Sequence, residues 1–202
     1  MILIGIAGGT GAGKSAIAQG LALRLGAGVL DLDSYYRDRG HLPPEERGLI
    51  NYDEPDAIDA PLLVSHLQQL GRGTPIERPV YSFATHTRIG VEIVTPAPVV
   101  IVEGLFTLWW EEARPLFDVT IFVEASADLR LIRRIQRDTV ERGRSVEHVL
   151  AQYLRTVRPM HERYVEPLRA HADLLVVNDE SLADAIERIA GSLRLVTVGG
   201  SG

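Results

Sequence analysis

Short aliphatic runs alternate along the chain with segments whose apolar positions return at helical spacing. The runs at residues 2–7, 29–32, 99–102, 119–123 and 174–177 are bounded by Gly, Pro or a charge. Such runs, mostly β-branched, predict short strands buried on both faces of a parallel sheet. The helical pattern predicts helices over residues 15–25, 61–70, 127–142, 146–166 and 182–193. Strand and helix in alternation give an α/β fold, a parallel sheet flanked by helices. Residues 71–98 break the rhythm with glycines, prolines and two alternating stretches, 76–83 and 90–94. These predict a small antiparallel β-ribbon inserted in the parallel core. One domain is expected over residues 1–198, with a disordered tail at 199–202.

Composition narrows the partners. The 202 residues are 46% hydrophobic, enough for one sizeable core. A net charge of −6 argues against nucleic acid as a partner, which calls for a broad basic surface. With no cysteine, disulfides, thiolate metal sites and cysteine nucleophiles are excluded. No apolar run approaches the roughly 18 residues of a membrane span. The apolar start lacks a basic flank and leads straight into glycines, so it reads as a strand and not as a signal peptide. A cytoplasmic protein with a small-molecule substrate is the expectation.

Gly8-Gly9-Thr10-Gly11-Ala12-Gly13-Lys14-Ser15 matches G-x-x-x-x-G-K-[ST] between the first predicted strand and helix. Glycines here let backbone N–H groups curl around phosphate oxygens, and the helix that follows aims its positive end at the same anion. Lys14 can reach the β- and γ-phosphates, and the Ser15 hydroxyl can ligate Mg²⁺. Of the 21 basic residues Lys14 is the single lysine, a compact ammonium among planar guanidiniums. The same count rules out the N-K-x-D motif of a GTPase, and the Ser-Gly-Gly signature of a transporter ATPase is missing. A P-loop NTPase-type sheet working as a kinase remains.

Ligands of such sheets gather at the C-terminal strand ends. Asp33 follows the second strand there and Glu103 the third. Glu103 is placed to support Mg²⁺, and Asp33 to orient an acceptor hydroxyl and take its proton; Asp31 reads as a turn-capping neighbour. Arg130, Arg133, Arg134 and Arg137 form a stripe at i, i+3, i+4 and i+7, opposite Leu131, Ile132 and Ile135, with Arg142 and Arg144 beyond it. A solvated helix face is the ordinary reading of such a stripe. Beside a phosphate loop the alternative gains weight: a helical, arginine-rich lid over residues 127–145 that closes on the triphosphate.

Several segments together resemble the uridine kinase (uridine–cytidine kinase) family. They are the phosphate loop, Asp33-Ser34-Tyr35-Tyr36, Asn51-Tyr52-Asp53-Glu54-Pro55-Asp56, Pro79-Val80-Tyr81-Ser82-Phe83-Ala84-Thr85-His86-Thr87-Arg88, Glu103-Gly104, the run from Asp128 to Arg144, and Gln152-Tyr153 through Met160. The resemblance implies transfer of phosphate from ATP or GTP, with Mg²⁺, to the 5′-hydroxyl of uridine or cytidine. It implies that Asp33 is the catalytic carboxylate and a Mg²⁺ neighbour with Ser15 and Glu103, and that Lys14, Arg137 and Arg142 act on the phosphates. Asp53 and Arg134 match ribose-contacting positions, Tyr81 and His86 base-contacting ones, and Arg144 and Gln152 further nucleoside contacts. A homo-oligomer, a tetramer in the family, is likewise implied. Glu54 and Ser82 depart from the family pattern, and Val177-Asn178-Asp179-Glu180 stands where Pro-Arg-Gly is expected. Rival readings are a kinase for ribulose 5-phosphate or pantothenate on the same framework, and a nucleotide-binding regulator without transfer.

Overall fold

The computed structural model describes residues 1–199. From the N-terminus, β1 (Ile2–Gly8) passes through the phosphate loop into α1 (Lys14–Leu25). Next, β2 (Gly28–Asp31) ends in a 3₁₀ turn, Leu32–Tyr35. Short α2 (Pro44–Arg47) and α3 (Ala60–Gly71) precede the ribbon strands β3 (Ile76–Ser82) and β4 (Thr87–Val94). The chain continues through β5 (Val99–Glu103), β6 (Val119–Glu124), α4 (Ala127–Val140), α5 (Val146–Gln152) and α6 (Arg158–Met160). It closes with β7 (Leu174–Val177) and α7 (Leu182–Gly199). The main sheet runs in the order β2-β5-β1-β6-β7, every neighbouring pair parallel, while β3 and β4 form a separate antiparallel pair.

Strand periodicity sorts the apolar residues onto two faces. Leu3 and Ala7 of β1, Val100 and Val102 of β5, and Phe122 of β6 pack under Leu63, Leu67 and Leu70 of α3 and Val165 and Leu168. Their strand neighbours Ile4, Ile6, Ile101, Ile121 and Val123 face Ile17 and Leu21 of α1 and Ala185 and Ile189 of α7. Both faces being covered explains why the strands read as continuous apolar runs and not as alternating ones. The central strand β1 lies between β5 and β6, so the loop after Gly8 emerges where the strand order reverses, the place where such sheets bind ligands.

The helix expected over residues 146–166 forms as one continuous helical stretch, but not as a regular α-helix. After α5 the chain takes a π turn at Tyr153–Val157, then α6, a second π turn at His161–Val165 and a 3₁₀ stretch at Glu166–His171. Pro159 and Pro167 supply the reason, since proline lacks an N–H and crowds the carbonyl four residues back; a wider turn relieves both. The ribbon extends to Thr87 on its second strand, and the first helix starts at Lys14 and not Ser15. Of the tail, Gly199 ends α7, and residues 200–202 lie outside the described residues. No helix among the described residues is long and apolar enough to cross a membrane.

Candidate active site

The phosphate loop owes its shape to three positive-φ glycines with close neighbours, Gly8, Gly11 and Gly13. Gly11 (φ 76°) and Gly13 (φ 95°) lie in the left-handed region. A Cβ on Gly11 would lie 2.2 Å from the Arg130 carbonyl oxygen, and one on Gly13 would lie 2.3 Å from Asn178 Nδ2. Gly13 caps α1 without a side chain, and no acidic residue occupies that first turn. Its N–H groups therefore stay available to an anion. Lys14 is buried, and Nζ donates to the Gly9 carbonyl at 3.1 Å. Burial lowers its pKa, while Glu103 and Asp33 pull it back up.

Carboxylates crowd the end of the sheet. Register pairs Glu103 with both Ile6 and Asp31. The Ser15 hydroxyl donates to Glu103 Oε1 at 2.6 Å. Asp31 Oδ1 accepts from the Asp33 amide at 2.8 Å, the turn-capping part expected of it, and so fixes the 3₁₀ turn that carries Asp33. Burial and then Glu103 raise the Asp33 pKa, and burial with Asp33 and Glu103 pushes Asp31 up to about 8. Glu103 is buried and Asp31 and Asp33 are half-buried; with the Ser15 hydroxyl they form an oxygen donor set of the kind a hard cation takes. Mg²⁺ fits this set, because it usually takes one or two protein oxygens and fills its remaining positions with phosphate and water. Of the expected ligands, the structure joins Ser15 and Glu103 directly, while Asp33 stands in the turn after Asp31, the register partner of Glu103.

The arginine stripe divides in two, and its buried face is polar. Arg134 and Asp138 are the buried residues of α4, whereas Ile132 is exposed. Arg130 Nε donates to the Ala125 carbonyl and Arg133 Nη1 to the Asn178 carbonyl. The others converge on Asp138, whose side chain is 0% exposed: Arg137 at 2.8 Å, Arg144 at 3.2 Å, Arg134 at 3.7 Å and Arg142 at 3.8 Å. Burial would raise the Asp138 pKa, yet Arg137, Arg134 and Arg142 together hold it below the ordinary carboxylate range. Arg134 also donates to Thr10 Oγ1 at 3.2 Å, which ties the cluster to the phosphate loop. Gln152 Oε1 accepts from both Arg134 (3.0 Å) and Arg144 (3.1 Å). Asp138 is the hub that the basic pattern of the sequence obscures, since an acid at i+4 from an arginine reads as one more surface pair.

Facing this cluster is a box of rings. Tyr52 stacks on His86 at 4.5 Å and 12°, Tyr36 meets Tyr81 at 5.2 Å, and Phe83 stands edge-on to both Tyr36 and Tyr81. Tyr81 Oη lies 3.5 Å from His86 Nδ1, and the Arg142 guanidinium sits 4.8 Å from the Phe83 ring centre. Burial, and then Asp33 and Asp53, raise the pKa of Tyr36. Burial followed by Arg144 and Arg47 lowers that of His86, so the ring is neutral at pH 7. Asp53 Oδ2 accepts from the Thr156 hydroxyl at 3.0 Å. The expected residues thus gather into one shell. Tyr36, Tyr52, Phe83 and Thr156 join it; all but Thr156 carry a sequence signal, an aromatic ring beside an expected site residue.

The departures from the family pattern find local partners. Glu54 Oε1 accepts from Asn51 Nδ2 at 2.6 Å, and Ser82 Oγ accepts from the Thr85 amide at 3.4 Å. Asn178 is buried, and its Nδ2 donates to the Ala12 carbonyl at 2.8 Å, bracing the phosphate loop from the β7–α7 connection.

A cavity of about 370 Å³ borders the outside of that loop, lined by Gly9, Arg130, His161 and Glu166 among others, and it reaches none of Asp33, Asp53 or Tyr81. His161 Nε2 lies 3.3 Å from Glu166 Oε2, and burial with Arg130 pushes its pKa down to about 4 despite Glu166. The unfolded chain takes up this proton near pH 6.5 and the folded chain only near 4. Stability from the neutral ring is therefore complete above pH 6.5 and is lost as pH falls towards 4. On denaturant unfolding, the wild type is expected to lose about 2 kcal/mol more than His161→Gln between pH 7 and pH 5. Equal losses in the two proteins would show that the imidazole is not the group being protonated.

Residues 3–181 match the Phosphoribulokinase / Uridine kinase family. A protein named Uridine kinase from Clostridium tetani (strain Massachusetts / E88) is 44% identical over 197 residues, covering 96% of this chain and 94% of its own. Another of that name, from Chloroflexus aurantiacus (strain ATCC 29366 / DSM 635 / J-10-fl), is 47% identical over 178 residues, covering 86% and 85%. The solved structure of phosphoribulokinase from Rhodobacter spheroides shares the fold, with a TM-score of 0.63 at 18% identity over 92% of this chain and 73% of that one. The match spans the phosphate loop, the ring box and the arginine cluster alike, and this chain belongs to the phosphoribulokinase/uridine kinase family of P-loop kinases.

Proposed function

We propose that this protein transfers the γ-phosphoryl group of ATP or GTP to the 5′-hydroxyl of uridine or cytidine, giving UMP or CMP. The observation that carries the reading is the position of Asp33. It stands in the 3₁₀ turn capped by Asp31, whose register partner Glu103 accepts from the phosphate-loop Ser15, and Tyr36 of the ring box is three residues on. A flat pyrimidine suits the box of Tyr36, Tyr52, Tyr81, Phe83 and neutral His86, which offers ring faces and a hydrogen-bonding edge. Asp53 and Arg134 bind the ribose hydroxyls, with Arg144 and Gln152 completing the nucleoside contacts. The names of the relatives from Clostridium tetani and Chloroflexus aurantiacus support the same acceptor.

In this reading Gly8, Gly9, Thr10, Gly11, Ala12, Gly13, Lys14 and Ser15 cradle the triphosphate. Asp33 orients the 5′-oxygen in line with the γ-phosphorus and takes its proton. Arg137 and Arg142 neutralise charge on the transferring group and exclude water, which would otherwise compete as acceptor. Mg²⁺, when bound, screens the phosphate oxygens. A cytoplasmic homo-oligomer, a tetramer, completes the proposal.

A coupled assay with ATP or GTP tests it against uridine, cytidine, their 2′-deoxy forms, ribulose 5-phosphate and pantothenate. The ribonucleosides are expected to turn over. The deoxy forms should fall by on the order of 10²–10⁴-fold in kcat/KM, because a missing 2′-hydroxyl leaves buried polar groups unpaired. Turnover of ribulose 5-phosphate or pantothenate with none of uridine or cytidine would replace this acceptor by another.

A further inference from the structure

Arg88 lies on β4, two residues after His86 and opposite Tyr81 in the ribbon register. Its side chain leaves the ring box and reaches the loop that carries Asp33. Nε donates to the Tyr36 carbonyl at 3.0 Å, and Nη2 to the Tyr35 carbonyl at 3.4 Å and to Asp59 Oδ2 at 3.1 Å. The Arg88 amide donates to Asp38 Oδ1 at 3.2 Å. Tyr35 is the last residue of the 3₁₀ turn containing Asp33, and Tyr36 follows it. The same turn is held from behind by a buried pair, Tyr35 Oη and His66 Nδ1 at 3.0 Å. Asp59 is fixed in turn as the cap of α3, and its amide donates to the Tyr35 carbonyl at 2.8 Å. One guanidinium therefore joins the ribbon, the Asp33 turn and a helix cap.

We infer that Arg88 is a positioning residue that ties the acceptor-reading ribbon to the turn bearing Asp33, so that the seating of the base sets the aim of the catalytic carboxylate. The inference rests on the nucleoside kinase reading above. Its physical basis is that a two-stranded ribbon is weakly ordered by itself and needs outside fastening. A planar five-donor fork can serve two carbonyls and a carboxylate at once, which a lysine ammonium of different reach and geometry cannot do. Small errors in aim are costly, since a displacement of about 1 Å at a reacting group lowers turnover by roughly 10²-fold.

Arg88→Lys keeps the charge and removes the fork; Asp59→Asn keeps a good helix cap and removes the charged partner. In Arg88→Lys, kcat with uridine is expected to fall roughly 10²-fold, with donor KM, uridine Kd by calorimetry and Tm all near those of the wild type. Asp59→Asn is expected to shift kcat in the same direction by less. In Arg88→Ala, added guanidinium is expected to restore part of the lost kcat. Hydrogen exchange at amides 33–36, followed by mass spectrometry, is expected to speed up about tenfold in Arg88→Lys, and this readout does not depend on the acceptor.

A wild type that uses neither uridine nor cytidine would remove the functional reading, and the exchange rates would still decide whether Arg88 holds the turn. Unchanged kcat and unchanged exchange in Arg88→Lys would overturn the inference. So would a kcat loss that only tracks weakened uridine binding and a lowered Tm, because Arg88 would then be an ordinary structural contact.

Discussion

Asp33→Asn is expected to lower kcat by roughly 10²–10⁴-fold while uridine still binds within a few-fold of the wild-type affinity. The asparagine keeps the shape of the side chain, and the Asp31 carboxylate still accepts from the residue-33 amide, so the 3₁₀ turn survives the exchange. What disappears is the proton acceptor. Burial and Glu103 raise the pKa of Asp33, against Lys14, Arg142 and Arg137. A carboxylate of raised pKa is a better base than an exposed one, and an amide is none. The affinity is spared because the ring box, Asp53 and Arg134 do not pass through Asp33. Steady-state rates and calorimetric binding, measured on one preparation, separate the two effects. Near-native turnover in Asp33→Asn would mean that the 5′-hydroxyl needs no carboxylate here.

The second large effect is expected at Asp138. Its side chain is 0% exposed and meets four guanidiniums within 4 Å. Asp138→Asn leaves those cations facing one another around a neutral amide. Removing one partner of a buried ionic group costs about 3–5 kcal/mol; with Arg137, Arg142 and Arg144 each partly solvated, about 3 kcal/mol is expected in urea unfolding. Activity is expected to fall roughly 10²-fold as well, because Arg137 and Arg142 lose the anchor that sets their aim.

The acid limit carries the same signature. The folded pKa of Asp138 is depressed, so its contribution is complete above the unfolded value of about 3.9 and is lost as pH falls through the lower folded value. The variant should lack that part of the acid transition. A stability within about 1 kcal/mol of the wild type, with native kcat, would show that the arginines hold themselves in place without the hub.

These two residues differ in how plainly the chain announces them. Asp33 follows a short aliphatic strand in a chain whose phosphate loop is contiguous, so its place at the strand end is readable from the sequence, while its choice over Asp31 came with the family resemblance. Asp138 sits in the last turn of a basic helix, four residues from Arg134 and six from Arg144, where an isolated helix would hold a solvated pair. Thr156 is silent for a related reason. Its partner Asp53 lies 103 residues away, and nothing local in either segment specifies the meeting. The π turns after α5 leave no mark in the sequence pattern, because apolar spacing at helical period persists through a π turn and periodicity cannot see a lost N–H until Pro159 is weighed against it.

Interactions between chain neighbours were therefore open to the amino-acid order alone: the glycines and Lys14 of the phosphate loop, the apolar strands of a sheet covered on both faces, and the type of chemistry at the strand ends. Backbone sterics, burial and side-chain charge act over a few residues and leave a readable pattern. Folding alone could assemble what depends on distant segments arriving together: Arg134 on Thr10 from 124 residues away, Thr156 on Asp53 from 103, and Arg88 across the Asp33 turn. Those contacts are short-ranged and directional. Their partners lie on separate elements, and the packing of the two apolar cores determines which of them meet.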